Sequence, residues 1–166
     1  MSSFKNIVDI YKAIRNDDDL LRLLVYPPED IGKGVKDPLD KSLENITDKD
    51  IDELYRLQEY HICSSGKTGD MEENNICRVY IYNGRKSGIP DKRNLAEQQL
   101  IIDAFVHDTY ENGDFRISRI NDRLNDILIS SKFTGITKMR FDTCIPLGAP
   151  KDYVGYRTTY EYTVVN

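Results

Sequence analysis

Residues 114–165 read DFRISRINDRLNDILISSKFTGITKMRFDTCIPLGAPKDYVGYRTTYEYTVV. Asn112-Gly113-Asp114 is a turn signal, and Asp114 is an N-cap residue type. Ile117, Ile120, Leu124 and Ile127 follow at steps of three, four and three, which puts them on one face of a helix over about 115–130. Arg116, Arg119, Asn121, Asp122, Arg123 and Asp126 fall mostly on the other faces, and Gly135 ends the element. Next, Met139, Phe141 and Ile145 share one face of a period-two run, with Lys138, Arg140 and Asp142 on the other. The last run is more regular. Val154, Tyr156, Tyr160, Tyr162 and Val164 alternate with Gly155, Arg157, Thr159, Glu161 and Thr163, a strand with one buried, aromatic-rich face. Pro146-Leu147-Gly148-Ala149-Pro150 separates the two runs and breaks any ladder. Two strands joined by such a loop make an antiparallel pair.

Upstream, Phe4, Ile7, Val8, Tyr11 and Ile14 fit an amphipathic helix capped by Ser3. Asp17, Asp18 and Asp19 crowd the start of a second helix carrying Leu20, Leu21, Leu23 and Leu24, and Pro27-Pro28 stops it. Residues 32–75 are irregular, with one short helix that Thr47 caps, Asp50 at the box position and Ile51, Leu54 and Tyr55 on a shared face. Residues 76–82 read as a strand with Cys77, Val79 and Ile81 on one face and Arg78, Tyr80 and Tyr82 on the other. Asn83-Gly84 ends it, and Arg85 to Asn94 forms a polar, basic connection. Residues 98–108 are apolar on both faces, the mark of a central strand. The expectation is one α+β domain over residues 1–166, in the order α-α-loop-β-β-α-β-β. Helices flank a small, mostly antiparallel four-stranded sheet built from about 76–83, 98–108, 136–144 and 153–164, with a long mobile acidic insert at about 33–75.

The chain has 166 residues, enough to bury roughly two-thirds of its unfolded surface. No apolar run is long enough to span a bilayer, so no membrane contact is expected. Three cysteines at irregular spacing do not make a disulfide framework and point to a reduced, intracellular place of synthesis. Net charge is −5, distributed as +2 over residues 1–15, −9 over 16–75 and +2 over 76–166. The acidic third is ill suited to gripping a nucleic-acid backbone and better suited to a basic partner.

Motifs for chemistry fall short. Ser65-Gly66-Lys67-Thr68 resembles the end of a phosphate-binding loop, but the glycine the motif needs at position 61 is His61. His61 and Cys63, with Cys77 or Cys144, lack the second closely spaced ligand pair of a structural zinc site. The only histidines are His61 and His107, and nothing in the spacing sets a nucleophile beside a base. No catalytic residue, metal ligand or cofactor is therefore assigned.

FRISRINDRLNDILI, TGITKMRF and PLGAPKDYVGYRTTYE, with ICRVYIYNGR, QQLIIDAFVHD and DDDLLRLL upstream, resemble a family of small virion proteins of tailed phages and prophages of Gram-positive bacteria. These are tail-completion, tail-terminator or head–tail joining proteins, and the likeness spans most of the chain. The resemblance implies a tail-terminator-like fold and no enzyme activity. It implies a ring, usually a hexamer, that caps the tail tube, stops its growth and joins tail to head. Implied partners are further copies of the chain, the tail-tube protein and a head-completion or connector protein. Genome DNA passes through the lumen without specific binding. The implied location is the virion, after synthesis in the host cytoplasm. Two other readings stand beside it: another neck component, such as a head-completion adaptor or stopper, and a small hydrolase using Cys63, Cys77 or Cys144 with a histidine. A ring needs a heterologous contact. The acidic segment 16–75 against a neighbour's Arg85, Lys86, Lys92 and Arg93 is the expected charged pairing, with Tyr80, Tyr82 and the last strand as the apolar or edge contribution.

Overall fold

Residues 92–107 carry apolar side chains on both faces, and the chain buries them by making this strand the centre of its sheet. The computed structural model describes residues 3–133 and 137–165. It is an α+β fold with a five-stranded sheet in the order β1-β2-β3-β5-β4. The strands are β1 (Ile62–Cys63), β2 (Cys77–Ile89), β3 (Lys92–His107), β4 (Arg140–Leu147) and β5 (Tyr153–Val165). β1 runs parallel to β2, and every other pairing is antiparallel. The helices are α1 (Ser3–Arg15), α2 (Asp18–Val25), α3 (Ile51–His61), α4 (Asp108–Glu111) and α5 (Arg116–Ser130). Four strands were expected. The fifth, β1, is two residues long, and two residues cannot display a period.

Helices cover one face of the sheet. Ile10 and Ile14 of α1, the leucines of α2, Leu57 of α3 and the predicted row Ile117, Ile120, Leu124 and Ile127 of α5 meet Val79, Ile81, Leu100, Ile102, Ala104, Val106, Tyr160 and Tyr162 in one core. A second, smaller cluster on the opposite face joins Met71, Ile76, Tyr80 and Phe105. Leu124 is wholly buried, so Leu124→Ala is expected to cost roughly 2–5 kcal/mol. Urea denaturation checks this, and a cost near zero would mean that the helix face is wrongly assigned.

Several boundaries differ from the sequence reading. β2 does not end at Asn83-Gly84. It continues to Ile89, and the supposed connection 85–94 is the tip and flanks of a β2–β3 hairpin that turns at Pro90 and Asp91, whose φ is +62°. Asn83-Gly84 falls at a register shift. Gly84 is needed for close packing rather than for a turn, since a Cβ there would lie 2.8 Å from Ile101 Cδ1. The expected strand 136–144 is instead Arg140–Leu147, so Pro146 and Leu147 join the ladder that they were expected to break. An edge strand tolerates proline because one of its sides has no ladder partner. Gly135 and the start expected at 136 lie outside the described residues.

Three caps also differ. Phe115, at φ +51°, occupies the N-cap of α5 with no side-chain bond, while Asp114 pairs with Arg116. Asp50, not Thr47, caps α3, and the buried face of that helix is Leu57, Gln58 and His61 rather than the exposed Ile51 and Tyr55. Ser3 lies within α1. The segment 33–75, read from sequence as a mobile insert, carries α3 and β1 and buries Ile46, Leu57, Ile62 and Met71. Trypsin is expected to cut first within 33–75, at exposed Lys67 between β1 and β2, leaving 76–166 associated. First cleavage inside β3 or α5 would contradict that.

Candidate assembly surface

Alternation along β2 sends Cys77, Val79 and Ile81 to the helix-covered face and Arg78, Tyr80 and Tyr82 to the other. That second face positions most of the polar chemistry. Tyr80 was expected to be a contact residue, but it is buried in the second cluster against Phe105, with ring centroids 5.8 Å apart. Its hydroxyl donates to the Lys67 carbonyl. It has no surface to offer a partner.

Tyr82 is half-buried and belongs to a network. Its hydroxyl donates to Asp103 Oδ2 at 2.6 Å, and Arg157 grips both Asp103 oxygens at 2.8 and 2.9 Å while also reaching the Tyr82 hydroxyl. Burial first, then the Asp103 carboxylate, pushes the Tyr82 hydroxyl up to about 12, so it stays a donor at neutral pH. Tyr82, Asp103 and Arg157 lie far apart in sequence, and only strand register assembles them: β2 pairs with β3 and β3 with β5, placing Asp103 opposite Arg157.

Arg85, Lys86, Lys92 and Arg93 are all exposed on the hairpin. Lys92 and Arg93 lie beyond the last β3–β5 pair, Leu95 with Val165, so the tip overhangs the sheet. Arg85 and Lys86 sit on the outer side of β2, which β1 covers only at Val79 and Tyr80. Lys86 Nζ donates to Ser3 Oγ at 3.2 Å, tying the hairpin flank to the start of α1. The sequence suggested these four cations as a group; the hairpin carries two at its tip and two further down its flank, with Lys92 opposite Ile89 and Lys86 opposite Gln98.

Part of the acidic segment's charge is paired within the chain. Asp17 and Asp37 pair with Arg123 and Arg119 of α5, Asp18 with Arg22, Glu59 with Arg15, and Asp70 with Arg78. Arg119 and Arg78 hold the Asp37 and Asp70 carboxyls below the usual carboxylate range. These pairs help to pin the segment to its own chain. Arg22, almost wholly buried, adds bonds to the carbonyls of Asp40 and Leu43, which organise the loop before α3.

Sheet edges are also unlike the expectation. β5, the last strand, lies between β3 and β4 and has no free edge. β4 is an edge, but Pro146 and a bulge between Phe141 and Thr143 blunt it against further pairing. Phe141 and Ile145 stand exposed on it, and the bulge between them sets them opposite Tyr160 and Arg157, which breaks the shared face that the alternation gave them.

The nucleophile candidates separate. Burial pushes the Cys77 thiol up to about 12 and also raises Cys63, the opposite of what a thiolate nucleophile needs. His61 Nδ1 sits 2.7 Å from the Cys77 carbonyl, and burial lowers its affinity for a proton. His107 caps α4 through a bond from Thr109 N. Among the described residues no three of His, Cys, Asp and Glu converge as metal ligands. Ser65-Gly66-Lys67-Thr68 lies in the loop between β1 and β2 with no helix after it, so it lacks the helix N-terminus of a phosphate-binding loop. No described helix is long and apolar enough to cross a membrane.

A search of curated proteins returns no match. A family model described as YomW matches residues 17–162. The name is of the SPbeta type given to Bacillus phage proteins and points to a phage-associated protein. Because the match takes in every strand and helix but α1 and the last three residues of β5, the protein belongs to the YomW family.

Proposed function

We propose that this chain is a phage structural protein of the tail-terminator kind. Copies form a ring on the end of the tail tube, stop its growth and provide the face to which the head is joined. The observation that carries the reading is the overhanging β2–β3 hairpin, with Lys92 and Arg93 at its tip and Arg85 and Lys86 on its flank. A projecting, charged element that its own chain leaves exposed suits a heterologous contact, in which one surface of each subunit meets a different surface of the next. Exposed charges of this sort guide docking and partner choice and contribute about 0–1 kcal/mol each. The phage-type family name supports the same reading. In the virion the partners are further copies, the tail-tube protein and a connector on the head side, with genome DNA passing through the lumen.

The test is deletion of the gene from the phage, followed by electron microscopy of the particles. Overlong tails or unjoined heads and tails are expected, with rescue by the wild-type chain. Tails of normal length on joined heads would sink the terminator reading. Correct tail length with heads left unattached would favour a head-completion adaptor or stopper instead.

A further inference from the structure

Between α5 and β4 lies a cavity of about 260 Å³. It is below the roughly 300–1,000 Å³ of sites for drug-sized ligands and on the scale of one side chain. Phe141 and Tyr156 supply aromatic wall, Asp122 supplies a carboxylate, and Thr158, Cys144 and Asn121 supply the polar lining. Thr158 Oγ1 donates to Cys144 Sγ at 3.3 Å, and Asn121 Nδ2 reaches the same sulfur at 3.7 Å. Asn121 Oδ1 is buried and accepts no hydrogen bond among the described residues. A buried acceptor without a donor is costly, so the cavity favours a guest that brings N–H groups.

The other walls narrow the guest further. Phe141 is about half exposed and makes an edge-to-face contact with Tyr160, at 6.1 Å between centroids. Aromatic rings favour a cation, Arg more often than Lys, and a carboxylate alongside does the same. An unpaired amide oxygen, aromatic wall and Asp122 together match a guanidinium. Arginine is also among the residue types that most often anchor protein interfaces.

We infer that this cavity is the anchor pocket for an arginine on the β2–β3 hairpin of a second copy, Arg93 at the tip or Arg85 on the flank. The choice of a second copy rests on the ring reading above. It is supported by charge and by placement: the hairpin presents four exposed cations, and the pocket presents Asp122. Within one chain, β2 and β4 are three strand spacings apart, roughly 14 Å. The hairpin and the pocket thus lie toward opposite sides of the sheet, the arrangement that a head-to-tail contact requires, and the contact needs no ladder on the blunted β4 edge. It also differs from a pairing with the acidic segment, several of whose carboxylates are paired with the chain's own arginines.

Cys144 in the pocket wall is exposed and provides the test. Lys86→Cys and Lys92→Cys variants, exposed neighbours that keep both hairpin arginines, are concentrated and treated with copper–phenanthroline. The wild type, and each variant carrying Cys144→Ser, serve as controls. A disulfide between the new cysteine and Cys144 of another molecule is expected, appearing as a ladder of covalent oligomers that is lost with Cys144→Ser. Adding Asn121→Leu, which removes the acceptor and fills the pocket, is expected to abolish the ladder. Alkylation of Cys144 is expected to slow as the wild-type protein assembles, and not to slow in Arg85→Ala/Arg93→Ala. No cross-link from either position while the wild type still forms rings would overturn the pocket and leave the ring intact. A wild type that stays monomeric at every concentration and on tail-tube ends would overturn both. Protection of Cys144 by added tube protein in Arg85→Ala/Arg93→Ala would assign the pocket to the tube and end this proposal.

Discussion

Arg116→Ala is expected to destabilise the protein by about 3–5 kcal/mol, the scale for removing one partner of a buried, hydrogen-bonded ion pair. Arg116 has no exposed surface at all, although it sits in the first turn of α5. Its Nε binds Asp114 Oδ2 at 2.6 Å, and Nη1 donates to the carbonyls of Leu23 at 2.5 Å and Tyr26 at 2.8 Å. The latter two lie at the C-terminal end of α2, where helix carbonyls have no partner within the helix. The Tyr110 ring lies 5.4 Å from the guanidinium. One side chain thus joins α2 to α5 and satisfies groups that are otherwise buried and unpaired. Alanine leaves Asp114 with only Arg119 and leaves the α2 carbonyls without their donor. Lysine is not expected to rescue, because an ammonium lacks the planar fork that serves a carboxylate and two carbonyls at once. The comparison is Arg119→Ala, whose partly exposed pairs are worth about 0–1 kcal/mol. Urea denaturation followed by circular dichroism separates the two. Similar small losses for both would show that the α2–α5 joint does not depend on Arg116. A loss of the expected size is large against the roughly 5–15 kcal/mol total of a typical domain.

The second large effect is functional. Replacing Arg85, Lys86, Lys92 and Arg93 together by glutamate is expected to leave the monomer folded, since all four side chains are exposed. Among the described residues, the side-chain hydrogen bond lost is that of Lys86 to Ser3. In a complementation assay the variant is expected to yield overlong or unjoined tails and a loss of infectivity, because the hairpin then repels the surface that it should meet. The expected phenotype matches that of the deletion, while thermal denaturation of the purified variant matches the wild type. Normal tails and full infectivity would remove the hairpin from the contact without touching the fold.

The sequence by itself determined the amphipathic row of α5, the leucine-rich α2 and its aspartate start, the central place of β3 and the antiparallel β4–β5 pair. In each case one buried face repeats at 3.6 or 2 residues over a long enough stretch to be read. It also marked the four hairpin cations, but as part of a loop. What it left to tertiary structure has a common cause. Asn83-Gly84 signals a turn locally, yet the close approach of Ile101 keeps the strand going, and that approach exists only once β3 is in register. Arg116 looked like a surface residue because its charge is ordinarily solvated. Its burial depends on carbonyls contributed by α2, about ninety residues earlier in the chain. Tyr80 differs from Tyr82 only in what covers it, and the cover is Met71 and Phe105. The α5–β4 cavity has no sequence signature at all. Its walls come from one face of α5 and from the neighbouring strands β4 and β5, and only the packing between helix and sheet decides that a space remains. Periodicity reports which face of an element is apolar; which other element comes to lie on that face, and where it fails to fill it, is settled by the whole chain at once.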